Sequence, residues 1–122
     1  MKKLIRIPII TLLLLFISCE FEEIDMGFPK TIVFTKEGGE KVFYGTHTLC
    51  KLYIMEGVEN KAFSDRIDGM EIAQYDWLTV KSPENSEILI ITVEPSDKEI
   101  SRKLVVEGHS GPVYTRIVVK QK

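Results

Sequence analysis

The chain has 122 residues, 44% of them hydrophobic and 28% charged, a balance ordinary for one globular domain. Its 16 basic side chains stand against 18 acidic ones, and beyond Lys2, Lys3 and Arg6 no run of the sequence gathers Lys and Arg into a cluster. Nucleic acid, whose phosphates demand a basic face, is therefore excluded as a partner.

The first segment, MKKLIRIPIITLLLLFIS, places Lys2, Lys3 and Arg6 before an apolar run from Ile9 to Ile17 that only Thr11 interrupts. A basic start, a short apolar stretch and a small residue form the pattern of a signal peptide over 1–18. The apolar run is too short for a bilayer span, which needs roughly 20 residues. Removing 1–18 takes away three positive charges and no negative one, moving the formal charge from −2 to −5.

The sequence Phe16-Ile17-Ser18-Cys19 resembles the bacterial lipobox, although Phe16 stands where a Leu is usual. The resemblance implies that Cys19 is alkylated by diacylglycerol and becomes the mature N-terminus. Two or three acyl chains anchor a protein stably, whereas one binds marginally. The alternative is a secreted protein with a chance cysteine at the cleavage site. Glu20, Glu22, Glu23 and Asp25 follow directly. An acidic stretch there resembles the export signal that sends Bacteroidetes lipoproteins to the outer face of the outer membrane; the plainer reading is a solvated tether. Residues 19–30 are read as that tether, and Gly27 and Pro29 argue against regular structure in it.

From Thr31 to the end, short β-rich runs alternate with turn signals. TIVFTK (31–36), a Gly-Gly turn and KVFYG (41–45) read as a hairpin. TLCKLYIME (48–56), WLTVK (77–81), the strongly apolar EILIITVE (87–94), SRKLVVEG (101–108) and VYTRIVVKQ (113–121) follow. The expected fold is an all-β, immunoglobulin-like antiparallel β-sandwich of about seven strands over 31–122. Residues 57–75 fit a strand, a helical turn or an elaborated loop equally, and stay unassigned. Cys50 has no partner once Cys19 carries lipid, and alternation along 48–56 predicts a buried, inert thiol.

DWLTV (76–80), Arg102 after a charged turn, LVVEG (104–108), IVVKQ (117–121) and the opening IVFTKEGGEKVFY together resemble the BACON domain. This is an immunoglobulin-like module of Bacteroidetes surface proteins, usually attached to glycan-active enzymes or mucin-related modules. Ser96 and Asp97 stand where that family commonly has an Asn, and Tyr53 stands nearest to a usual Trp. The resemblance implies a non-catalytic module that binds glycan or mucin.

The residues themselves offer little chemistry. His47 and His109 have no metal or triad spacing, and adjacent His109 and Ser110 on one turn seldom form a nucleophile–base pair. Asp65 and Asp68 are too few for a calcium loop. No catalytic residue, metal site or cofactor is expected. Aromatic residues stack on sugar rings, so Tyr75, Tyr44 and Trp77 are the candidate ligand contacts, with Trp77 favoured as a core residue. The expected function is a binding module on a lipid-anchored surface protein. A module docking another surface protein and a small enzyme or enzyme inhibitor are the alternatives.

Overall fold

The computed structural model describes residues 21–122; the predicted leader and Cys19 lie outside the described residues. In chain order the strands are β1 (Glu22–Glu23), β2 (Thr31–Phe34), β3 (Gly39–Tyr44), β4 (Lys51–Glu56), β5 (Glu59–Phe63), β6 (Asp65–Ile67), β7 (Met70–Tyr75), β8 (Leu78–Pro83), β9 (Ile88–Val93), β10 (Arg102–Ser110) and β11 (Val113–Gln121). One sheet has the order β1-β11-β10-β4-β5, with β2 also on β11; the other has the order β3-β9-β8-β7-β6. The orders β11-β10-β4 and β3-β9-β8 match the G-F-C and B-E-D orders of an immunoglobulin-type sandwich. All pairings are antiparallel except those of β1 and β2, which follow each other along one edge of β11 in parallel.

Period-two alternation builds the core. From the first sheet Leu52, Ile54, Leu104, Val106, Ile117 and Val119 point inward, and from the second Leu78, Val80, Leu89, Ile91 and Val93 meet them. Trp77 lies in the two-residue turn between β7 and β8 and is buried as expected, at 4% exposure. The Arg102 guanidinium covers its ring at 4.7 Å.

Several expectations need correction. The Gly-Gly turn does not close a hairpin: β2 pairs with β11 and β3 with β9, so Gly38 and Gly39 carry the chain from one sheet to the other. A side chain at Gly38 would collide with the Val93 carbonyl, and the chain passes this close only without a Cβ. Placing β2 on β11 lets Ile32 and Phe34 reach the core and covers an edge that would otherwise be open. The strand predicted from residue 48 begins at Lys51, and Leu49 turns inward just before it. Cys50 is consequently exposed, with its N–H donating to the His109 carbonyl at 2.8 Å.

The segment 19–30, read as a free tether, is docked from residue 21. Glu22 and Glu23 pair with Val113 and Tyr114, and Met26 and Phe28 belong to the core. Phe28 packs on Gly45, where any Cβ would overlap its ring, and the Thr46 N–H donates to the Met26 carbonyl at 2.8 Å.

The unassigned 57–75 segment is two hairpins. Gly57 and Val58 turn β4 into β5. Asp68 and Gly69, both at positive φ, turn β6 into β7 in the manner of a tight two-residue loop. Between them the chain crosses from one sheet to the other at Ser64, which is fully buried. The crossing is pinned by hydrogen bonds. The Ser64 N–H donates to the Leu52 carbonyl at 2.8 Å, its Oγ accepts from the Leu52 N–H at 2.9 Å, and its hydroxyl donates to Glu71 Oε1 at 2.8 Å. Arg66 Nε donates to Glu71 Oε2 at 3.0 Å. Burial alone would push the Glu71 carboxyl up, but the bonds from Ser64 and Arg66 outweigh it and hold the group below its ordinary value.

Candidate functional site

The three aromatic residues singled out from the sequence are not all brought together. Tyr44 ends β3 and is 73% exposed, but it stands at the end of its sheet opposite Tyr75 and Trp77, as the β3–β9–β8 register shows. Tyr75 is packed partly against the core, with its hydroxyl 3.4 Å from Glu56 Oε1. Trp77 offers no free ring face, because it is buried and Arg102 lies over it.

A different cluster occupies the outer face of the first sheet, on the side away from the core. His109 is in strand β10, not in the turn where the sequence seemed to place it; the turn is Gly111–Pro112. This register sets His109 opposite Tyr114 and Glu107 opposite Arg116 across the β10–β11 pair, and Glu107 opposite Tyr53 across β10–β4. Since Gly108 points into the core, Glu107 and His109 must both point out.

The rings converge on His109. Tyr53 meets it edge to face at 4.8 Å, Tyr114 stacks at 5.2 Å with 16° between planes, and Phe21 approaches at 6.1 Å. Phe21, at 63% exposure, is the ring most open to solvent. His109 Nε2 lies 3.1 Å from Glu107 Oε1; a carboxylate only accepts, so this nitrogen carries the proton. Arg116 donates to the other oxygen, Glu107 Oε2, from Nη2 at 2.7 Å and Nε at 3.2 Å. The bond to Glu107 raises the pKa of Arg116 further above its ordinary value. Phe21, Tyr53, Asn60, Glu107 and His109 line a shallow depression of about 250 Å³.

Ser110 follows His109 directly on the strand and so projects to the other side of the sheet. Among the described residues, no three His, Cys, Asp or Glu side chains are grouped to hold a metal ion. What the face does offer is flat apolar rings beside a fixed carboxylate, a guanidinium and a carboxamide. Such a mixture orients a ligand through a few placed polar groups on an apolar floor.

No family model matches the chain, and no curated protein matches it. Among solved structures it is similar to the NMR structure of a protein from Bacteroides thetaiotaomicron, at 15% identity over 84% of each chain with a TM-score of 0.48.

Proposed function

We propose that this protein is a non-catalytic carbohydrate-binding module, and that its site is the aromatic face around His109. The observation that carries this reading is the convergence of Tyr53, Tyr114 and Phe21 on one ring beside the Glu107–Arg116 pair. Aromatic rings with a polar edge present an apolar surface to the C–H face of a sugar. Glu107, Asn60 and Arg116 supply acceptors and donors for its hydroxyls. The BACON-like motifs in DWLTV and LVVEG support the same class, with glycan or mucin as the ligand. Lipid attachment at Cys19 and display outside the outer membrane complete the proposal, supported by the leader, the lipobox-like Ser18-Cys19 and the acids that follow. Only Glu20 separates Cys19 from the docked chain, so an anchor there would hold the Gly111–Pro112 end of the sandwich close to the membrane.

The test is calorimetric titration of residues 21–122, which contain the buried core described above, against host and dietary polysaccharides. Binding to one class, lost in Tyr114→Ala and Tyr53→Ala but kept in Tyr44→Ala, supports the site. Binding that survives both of the first two substitutions removes it. Metabolic labelling with a fatty-acid analogue tests the anchor: Cys19→Ser should abolish the label, and persistent labelling removes the lipoprotein reading.

One observation favours a second reading, a module that docks another protein. Strand β3 is an edge strand carrying exposed Val42 and Tyr44, and its outer edge has no strand partner among the described residues. An open edge of this kind can accept an extended segment. Specific capture of a protein partner that Val42→Lys abolishes, with silence toward all polysaccharides, would establish that reading.

A further inference from the structure

At the other end of the same outer face, β10 and β11 bring together cations that are far apart in sequence. Lys103 and Lys120 are direct cross-strand partners. Together with Ser101, Arg102 and Lys122 they line an open depression of about 340 Å³. The sequence shows no Lys/Arg cluster here because the hairpin, not the chain order, assembles this one.

One feature distinguishes it from a merely solvated charged surface. Like charges placed directly opposite on neighbouring strands are destabilising. Yet none of the ion pairs among the described residues, which involve Lys61, Arg66, His109 and Arg116, neutralises any of these four cations. Arg102, next to Lys103 on the strand, turns to the core side instead. Its Nε donates to Gln121 Oε1 at 2.7 Å, its Nη2 donates to the Glu94 carbonyl at 3.3 Å, and its plane rests on Trp77. Gln121 is itself buried and fixed by bonds to the Thr35 and Glu94 carbonyls, both at 3.0 Å. The guanidinium is thus fixed on the core side of the strand, opposite to Lys103 and Lys120, and it is the lysine charges on the outer face that stay uncompensated, in a chain whose acids outnumber its bases.

We propose that this pocket binds the sulfate or carboxylate groups of an acidic polysaccharide. The inference rests on the carbohydrate reading of the same face and narrows its ligand. Lys103 and His109 are six residues apart on one strand and on one face, roughly 20 Å at about 3.4 Å per residue. The half-buried Val105–Val118 pair lies between them. An extended chain along β10 and β11 can therefore set a sugar ring on the aromatic cluster while an anionic substituent on a later ring enters the lysine pocket.

The experiment titrates residues 21–122 and their Lys103→Gln/Lys120→Gln variant with chondroitin sulfate, polygalacturonate and neutral dextran, each at low and raised salt. Thermal unfolding with inorganic sulfate and capture of a single-stranded oligonucleotide run alongside. The wild type should prefer an acidic polymer, more weakly as salt rises, and the variant should lose about tenfold or more in affinity. The variant should unfold no earlier than the wild type, because a like-charge pair is gone. Unchanged affinity of the variant for the acidic polymers would overturn the inference. So would protection by inorganic sulfate without polymer binding, or capture of the oligonucleotide in preference to both acidic polymers. Binding of dextran through Tyr114 with no preference for acidic chains would also overturn it while leaving the carbohydrate reading intact; silence toward every polysaccharide would remove both.

Discussion

Glu71 should make the stability of this sandwich depend on pH in a way that one substitution isolates. Its carboxylate is 4% exposed and accepts from the Ser64 hydroxyl and from Arg66 at the point where the chain changes sheets. Glu71→Ala removes the acceptor and strands the Ser64 hydroxyl, and leaving such a buried group unpaired costs about 1–3 kcal/mol on top of the lost side-chain packing. A total near 3 kcal/mol lowers Tm by about 10–20 °C in a domain of this size. Glu71→Gln keeps the shape and an acceptor for Ser64 but discards the charge, so about 1 kcal/mol is expected. Because the folded carboxyl has a lowered pKa, the unfolded chain binds more protons between the folded and unfolded values, and stability rises with pH there. The contribution is complete above the unfolded value, about 4.3, and is lost as pH falls through the folded one. Thermal unfolding of wild type and Glu71→Gln from pH 7 to pH 3 should thus show a Tm deficit that closes on acidification. A deficit that stays constant across that range would mean that charge plays no part and that the reasoning about Glu71 is wrong.

Trp77→Ala should cost about 3–5 kcal/mol, read as a shift in the denaturant midpoint, since it empties a core site and frees Arg102; an unchanged midpoint would place the ring outside the core. Gly45→Ala should cost about 1–3 kcal/mol by driving a methyl group into Phe28 and to within 2.6 Å of the Met26 carbonyl. Amide exchange around Met26 should accelerate in that variant, and undisturbed exchange would show that the 26–28 segment is not packed on Gly45. Cys50 should react fully with a thiol reagent in the folded domain without denaturant; protection until unfolding would contradict its exposure.

The strands with clean alternation were readable from the sequence. VYTRIVVKQ coincides with β11 residue for residue, and Trp77, read as opening its strand, is buried as a lone Trp of a sandwich core, though it sits in the turn just before β8. The errors share a cause: local signals do not report which sheet a strand joins. The Gly-Gly turn has hairpin chemistry, yet its two strands part because the edge of β11 can accept β2. Met26 and Phe28 were hidden beside Gly27 and Pro29, residues that exclude regular structure but not burial. Asp68-Gly69 between Ile67 and Met70 was a legible turn signal, though its flanking strands, exposed throughout β6 and alternately buried in β7, lack a common pattern. The candidate site is assembled from β4, β5, β10, β11 and Phe21 ahead of β1, so no window of sequence contains it. Its single local trace is Glu107-Gly108-His109 facing Tyr114-Thr115-Arg116 across Gly111–Pro112, which becomes informative once Ser110 is paired with Val113.

The measurement closest to the central claim is a titration of the ¹⁵N-labelled domain with the polysaccharide that binds in calorimetry, followed amide by amide. The account predicts shifts concentrated on the outer face of the first sheet, at Tyr53, Glu107, His109 and Tyr114. Shifts confined to the Tyr44 end of β3, or to the turn carrying Trp77, would place the ligand elsewhere and contradict it.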